Sequence, residues 1–360
     1  MITLRGIFKS ILPYFIIKNR RNRNKDFSRK VSQLNFCIVN ELPKYKKIVS
    51  VQGFGYSGSG AVLDLLREYD ATQVLGYIDP EVNKKTKFGG LTEIDIIRLP
   101  GGLYEIENNL HIDNVFINSA LLNRTEKLFQ SSSLYKYSDE LKNLFISFFQ
   151  SITTLRIISL SKSFYNGYLY NFDEQSSIYF LKKMSLDEYR LKCSQFLTSI
   201  FNHISNGSDI IVADQLFSDT DLNIKRNKSF IRNLKSIIVV RDPRDTYAWA
   251  IKANIEWIAH NSVMDFISWY EAQYKNVPNL LEQDDCIVIK YEDLIFDYDQ
   301  TIKYIENYIG YKSSQHIYMH RYFDPTISKK FVGFYKQMDI KNDCLIIKKK
   351  LKLYCNCRID

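Results

Sequence analysis

Four short runs of β-branched residues, Lys47–Val51, Asp209–Ala213, Ser236–Val240 and Cys286–Ile289, are near-continuously apolar rather than alternating. Strands that read this way have both faces covered, the condition of a parallel sheet between two layers of helices. Between and around them lie helical patterns: Ala61–Tyr69, a Tyr- and Phe-rich stretch from about Ser119 to His203, Pro243–His260, Val263–Asn276 and Gln300–Tyr308. Strands alternating with helices imply right-handed crossovers and an open α/β sheet. Ligands of such sheets bind at the carboxyl ends of the strands.

Composition narrows the partners. The chain has 360 residues, 45% apolar, enough for a large core. A formal charge of +9 favours anionic ligands. Part of the excess is terminal, with Arg20, Arg21, Arg23, Lys25, Arg29 and Lys30 near the start and Lys348, Lys349, Lys350 and Lys352 near the end. Neither cluster carries the aromatic or helix-turn-helix pattern of nucleic-acid readout, so no nucleic-acid partner is expected.

Six scattered cysteines argue against a disulfide scaffold and for a reducing, cytoplasmic setting. Cys355-x-Cys357 has no second pair at zinc spacing, and His316 and His320 lack the glutamate of a zincin helix, so no metal site is expected. The N-terminal segment is interrupted by Lys9 and Pro13 and is too short in apolar residues for a bilayer span of roughly 20. It either lies on an anionic membrane face or docks as a helix ahead of a basic linker. The sequons at Asn123, Asn206 and Asn227 are read as chance.

Two strand ends carry chemistry. After the first comes "VQGFGYSGSGAVLDLL" (Val51 to Leu66), where Gly53, Gly55, Gly58 and Gly60 free the backbone to converge its amides on an anion at a helix start. Ser57 and Ser59 add hydroxyl donors. In the spacing of the nucleotide triphosphatase loop, G-x-x-x-x-G-K-[ST], Ser59 stands at the lysine and Gly60 at the magnesium-binding hydroxyl. The loop is therefore expected to hold a phosphate without magnesium triphosphate. The second is "SIIVVRDPRDTYAWA": Asp242 is an N-cap, Pro243 the first helical residue, and Arg241 the last strand residue, able to take a phosphate bidentately or to pair with Asp242 or Asp245.

These two motifs, followed by "IVIKYEDLIFDYDQTIKYIENYIG" (Ile287 to Gly310), together resemble the sulfotransferase family, which uses 3′-phosphoadenosine 5′-phosphosulfate as donor. The resemblance implies a P-loop-like three-layer α/β fold with a central, mainly parallel sheet. The expected layout is a basic N-terminal segment over 1–45, the α/β domain over 46–310 with a helical insertion at about 119–203, and a C-terminal extension over 311–360. It implies that Gly55, Tyr56, Ser57, Gly58, Ser59, Gly60 and Ala61 wrap the 5′-phosphosulfate, and that Arg241 binds the 3′-phosphate with Trp249 beside it. Tyr56 stands where many members carry a basic residue, and Trp249 where the family has a serine. A cation from elsewhere is then needed, with Lys87, Arg98 and Lys329 as candidates.

Sulfuryl transfer needs an in-line acceptor, stabilisation of spread negative charge and a base, with no obligatory metal. Carbohydrate-type relatives place a glutamate soon after the first helix. Here Glu93, in "KFGGLTEIDIIRLPGGLYEIE", is the expected base, with Glu81 and His260 behind it. The expected acceptor is a hydroxyl or amine of a saccharide or glycolipid. Two other readings stand beside this one: a P-loop kinase or nucleotidase with Asp214 holding magnesium, and a catalytically degenerate binder of an adenosine phosphate or anionic glycan.

Overall fold

The computed structural model describes residues 42–75, 101–112, 115–157, 163–165, 168–170, 177–205, 207–216, 224–275, 277, 285–356 and 358. Most of the basic N-terminal segment, and Glu81, Lys87, Glu93, Arg98 and Asn206, lie outside these residues. In chain order the elements are β1 (Lys47–Gly53), α1 (Ser59–Leu66), β2 (Thr72–Val74), α2 (Leu103–Asn108), α3 (Val115–Ser131), α4 (Ser133–Tyr137) and α5 (Asp139–Ile152). Strands β3 (Thr153–Ile157), β4 (Ser163–Tyr165), β5 (Tyr168–Tyr170) and β6 (Ser177–Leu181) follow, then α6 (Leu186–Ile204), β7 (Ile210–Asp214), α7 (Ile224–Phe230), β8 (Leu234–Val240) and α8 (Pro243–Lys252). The chain ends with α9 (Val263–Tyr274), β9 (Cys286–Lys290), α10 (Tyr291–Phe296), α11 (Tyr298–Ile309), three short helical turns between Pro325 and Gln337, and α12 (Lys341–Lys350).

The chain divides into two compact units. The larger one contains residues 41–99 and 197–360 and is built on a five-stranded, all-parallel sheet in the order β2-β7-β1-β8-β9. The expected parallel α/β architecture is thus present, with one strand the sequence did not announce: the half-buried edge strand β2, only three residues long. Successive residues of β8 point to opposite faces, as strand geometry requires. Ile237 and Val239 join a cluster with Val62, Leu65 and Leu66 of α1 and Ile302, Ile305 and Ile309 of α11, whereas Ile238 and Val240 join Tyr247, Phe266, Tyr270 and Ile347 of α8, α9 and α12. Two helical layers with a sheet between them account for the uninterrupted apolar reading of β7 and β8.

Helix α8 is shorter than the pattern predicts, ending at Lys252 rather than His260. Asn254 takes a left-handed φ of 47°, while the Asn254 amide bonds Ile251 O and the Ile255 amide reaches back to Ala250 O, closing the helix in a Schellman-type turn. Local apolar spacing cannot see such a stop.

The second unit holds the described residues from 101 to 196. The helical insertion expected there is mixed: β3 pairs antiparallel with β6, and β4 with β5. Among its described residues Phe129, Phe145, Phe148, Phe149 and Tyr179 are almost fully buried core and Phe148 stacks on Phe196 at 4.4 Å, while Tyr137 is exposed. Of the sequons, Asn227 is only 1% exposed, which removes it as a glycan acceptor in the folded chain.

In the larger unit, Glu68, just past α1, is fully buried. Its carboxylate accepts from the amides of Tyr322 (2.8 Å), Phe323 (2.9 Å) and His320 (3.2 Å) and lies 2.7 Å from His316 Nε2. His316 is therefore a packing histidine, stacked on Tyr69 at 4.4 Å. One carboxylate fastens residues 316–323 to the end of the first helix. Removing it leaves the buried His316 imidazole and Phe323 amide, and the partly buried amides of His320 and Tyr322, without their acceptor, so Glu68→Ala is expected to lower unfolding free energy by about 3 kcal/mol, measured by urea denaturation.

Candidate functional site

Strand β1 lies at the sheet's switch point, with β7 on one side and β8 on the other. The crevice beyond its carboxyl end is where such sheets bind ligands. Gly53 pairs in register with Val239, so the loop leaving β1 runs beside the end of β8. There a cleft of about 440 Å³ is lined by Tyr56 through Ala61, Asp64, Arg241, Trp249 and Tyr291, and by Tyr322, Phe323, Ser328 and Phe331.

The glycines of the loop do different jobs. A Cβ on Gly53 would sit 2.1 Å from Ser57 Oγ, and one on Gly58, whose φ is 90°, would sit 2.3 Å from the Tyr291 ring. Gly60 meets nothing within 4 Å. Helix α1 starts at Ser59 with Gly58 as a cap that has no side chain to accept its first amides. Ser57 is 2% exposed, and its Oγ has no partner among the described residues. The start of α1 thus has no side-chain cap; the Ala61 amide turns back to Gly58 O at 3.0 Å, and the helix dipole adds positive potential.

Tyr56 holds a left-handed φ of 56°, uncommon for a bulky side chain, and is 42% exposed. Its ring is parallel to that of Trp249, with centroids 6.4 Å apart. Trp249 also stacks on Phe334 at 4.5 Å, and its buried Nε1 has no partner among the described residues. An indole thus stands where the resemblance places a hydroxyl.

Arg241 is 6% exposed and holds the cleft together. Its guanidinium donates to Tyr56 O at 3.3 Å and to Phe331 O, lies 3.7 Å from Asp245 Oδ2, and covers the Tyr291 ring at 4.9 Å. Its Nε has no partner among the described residues. Arg244 turns away, making a bidentate contact with Asp242 through Nε (2.9 Å) and Nη2 (2.7 Å). The two arginines of one short motif therefore divide: one faces the cleft, the other neutralises the helix cap.

Asp242 caps α8 by accepting from the Arg244 amide and also accepts from the Asn356 amide, while its own N–H donates to Glu292 Oε1 at 2.9 Å. Burial pushes the Glu292 carboxyl up to about 7, partly opposed by the amides it accepts from. Asp245 accepts from the amides of Gly333 (2.8 Å) and Tyr335 (3.0 Å), and burial raises its carboxyl as well.

Several cleft walls come from the C-terminal extension, in which the sequence reading had singled out only Lys329 for a part in the chemistry. Tyr322, Phe323, Ser328 and Phe331 lie in "RYFDPTISKKFVGFYKQ", whose dense aromatics and Asp324-Pro325 helix start were the available signal. Asp64, on α1 and 3.3 Å from Arg67, is the one carboxylate among the described cleft-lining residues and was also missed. Lys329 is exposed and does not line the cleft. His260 keeps Nδ1 2.7 Å from its own Ile258 carbonyl. Asp214 ends β7 beside Val51; burial pushes its carboxyl up to about 6, and one of its oxygens has no partner among the described residues.

No family profile and no curated protein matches the chain. Among solved structures, the sulfotransferase domain of the Synechococcus PCC 7002 olefin synthase is similar at 9% identity and a TM-score of 0.41, covering 87% of this chain and 98% of that one. The sulfotransferase domain of the curacin biosynthetic pathway is similar at 13% identity and 0.41, with the same coverage. A sulfotransferase of Mycobacterium tuberculosis is similar at 12% and 0.35, covering 80% of this chain and 77% of that one. At such identities and TM-scores, activity has to be argued from this chain's own residues.

Gly60→Ala is expected to leave the melting temperature within about 2 °C, while Gly58→Ala costs more than about 1 kcal/mol, because it forces a side chain into left-handed backbone against the Tyr291 ring. For Glu292, a folded value above the unfolded one means that the folded chain keeps a proton the unfolded chain has released. Stability is therefore lost as pH rises from about 4.5 to about 7. Glu292→Gln is expected to flatten that part of the stability profile, measured by urea unfolding across pH.

Proposed function

We propose that this protein is a sulfotransferase, moving a sulfuryl group from 3′-phosphoadenosine 5′-phosphosulfate to a hydroxyl or amine of an acceptor. The observation that carries the reading is the loop end of the cleft: a glycine-rich helix start without a side-chain cap and the Ser57 Oγ, which has no partner among the described residues, with the Arg241 guanidinium in the same lining. A helix start and a guanidinium facing one cleft favour an anion. Ser59 and Gly60 in place of lysine and a hydroxyl select against magnesium triphosphate. The aromatic walls, Trp249 and Phe331 among them, suit the flat base of a nucleotide.

In this reading the amides of Gly58 to Gly60 and Ser57 Oγ hold the phosphosulfate end, and Arg241, with Trp249 also lining the cleft, holds the 3′-phosphate. The acceptor oxygen attacks sulfur as the bond from sulfur to the bridging oxygen breaks, and the acceptor proton passes to a carboxylate, for which Glu93 is the candidate. The Tyr56 hydroxyl donates toward the leaving phosphate. A saccharide or glycolipid acceptor, a cytoplasmic setting and contact of the basic N-terminus with a membrane surface complete the proposal. Among the described residues no helix is long and apolar enough to cross a membrane.

A second reading, magnesium-dependent phosphoryl transfer, rests on the unpartnered Asp214 oxygen at the end of the neighbouring strand. The two separate in a thermal-shift titration. Adenosine 3′,5′-bisphosphate is expected to raise the melting temperature without metal, and ATP to do so neither with nor without magnesium; stabilisation by magnesium-ATP alone overturns the sulfotransferase reading. Arg241→Ala is expected to weaken bisphosphate binding at least roughly tenfold, the loss of about 1.4 kcal/mol or more. Glu93→Gln is expected to abolish transfer while leaving that binding intact, and unchanged turnover removes Glu93 as base. Binding of the bisphosphate by a chain that neither hydrolyses nor transfers the donor's sulfate would mark a degenerate binder.

A further inference from the structure

All three tryptophans of the chain lie about the loop that follows β1. Trp249 pairs with the Tyr56 ring, and a Cβ on Gly55 would lie 2.9 Å from Trp269 Cη2 and 3.1 Å from Trp257 Cζ3. Gly55 holds a left-handed φ of 51°, and the close approach of two indoles leaves no room there for a side chain. Trp249 and Trp269 are half-buried, whereas Trp257 is 63% exposed. Tyr56, next to Gly55 in the chain, is itself exposed and lines the cleft. An open aromatic rim therefore borders the loop end of the cleft.

This rim is rigid. Between α8 and α9 the Ile255 amide closes on Ala250 O, the Ile258 amide bonds Ile255 O at 3.2 Å, and the Ile258 side chain is fully buried. The turn holds the Trp257 backbone while its indole stays in water. So large an exposed ring adds little to folding, but it offers a ligand broad contact at a small cost in side-chain entropy.

Openness and charge set the ligand class. A ring lying on an open indole has one face covered and its edges in water, which suits a sugar: its C–H face is apolar and its edge hydroxyls stay hydrated. A wholly apolar acceptor would leave half its surface exposed. Residues 253–265 carry Glu256, His260 and Asp265 but no lysine or arginine, and the Lys252 ammonium lies over the Trp249 and Phe334 rings at 5.1 and 4.6 Å. The two carboxylates, both exposed, disfavour a polyanionic chain. We propose that Trp257, with Tyr56 beside it, is the platform on which a sugar ring of an uncharged saccharide acceptor stacks. That the saccharide is an acceptor rests on the sulfotransferase reading of the cleft; that it binds at this rim rests on the exposed indole.

The test is saturation-transfer difference NMR on the full-length chain with three neutral probes, cellotetraose, maltotetraose and tetra-N-acetylchitotetraose, and with anionic tetragalacturonate and apolar 2-naphthol for comparison. At least one neutral probe is expected to bind saturably, with saturation strongest on the protons of one ring face. Trp257→Ala is expected to weaken that binding at least roughly tenfold, about 1.4 kcal/mol, and Trp257→Tyr to restore most of it. Because Trp257 is exposed, Trp257→Ala is expected to keep the parent's melting temperature and its thermal shift with adenosine 3′,5′-bisphosphate. Leu353→Ala, which removes an apolar side chain 84% exposed and outside the cleft lining, is expected to leave sugar binding unchanged. The platform is overturned if no neutral probe binds, if binding survives Trp257→Ala, or if tetragalacturonate or 2-naphthol shows the stronger Trp257-dependent binding. Any of these with an intact bisphosphate shift leaves the sulfotransferase reading standing, whereas loss of that shift in the parent chain overturns the acceptor role even where the sugar binds.

Discussion

Asp242 and Asp245, three residues apart and both fully buried, are where the architecture of the larger unit converges. Taking a carboxylate out of water is costly unless charge and hydrogen bonds replace the lost hydration. Asp242 meets that cost with the Arg244 guanidinium and the amides of Arg244 and Asn356; Asp245 does so with the amides of Gly333 and Tyr335 and the nearby Arg241. Each compensating group comes from the start of α8 or from the C-terminal segment. The electrostatic need of these two carboxylates thus fixes the start of one helix and ties the C-terminal segment to it at Gly333, Tyr335 and Asn356.

Glu68 repeats the device on the sheet's other face, collecting three amides and a histidine from residues 316–323. Between these anchors run the turns that supply Ser328 and Phe331 to the cleft. Arg241 closes the arrangement by donating to the carbonyls of Tyr56 and Phe331, one from each side. The cleft is shaped by backbone held on buried charges.

Much of this was legible in the chain. The uninterrupted apolar runs identified a doubly covered parallel sheet, since only burial on both faces tolerates such strands. The Asp-Pro pair located the start of α8, and the glycines between β1 and α1 marked a turn whose backbone a side chain would block at Gly53 and Gly58. Harder to see were β2, too short to carry a pattern, the stop of α8 at a left-handed Asn254, and the strands within the aromatic-rich unit. In each case the deciding bonds come from residues whose role is not written in their neighbours.

What the sequence determined by itself was therefore local and periodic: strands, helix caps, and a glycine loop that lacks the lysine of a triphosphate site. The sequence singled out Arg241 at the strand end, and the tertiary structure decided what holds the two arginines apart, Arg244 on the buried Asp242 and Arg241 beside the buried Asp245. It likewise decided that residues 322–331 form a wall of the site, since only the fold brings them to Glu68, more than 240 positions earlier in the chain.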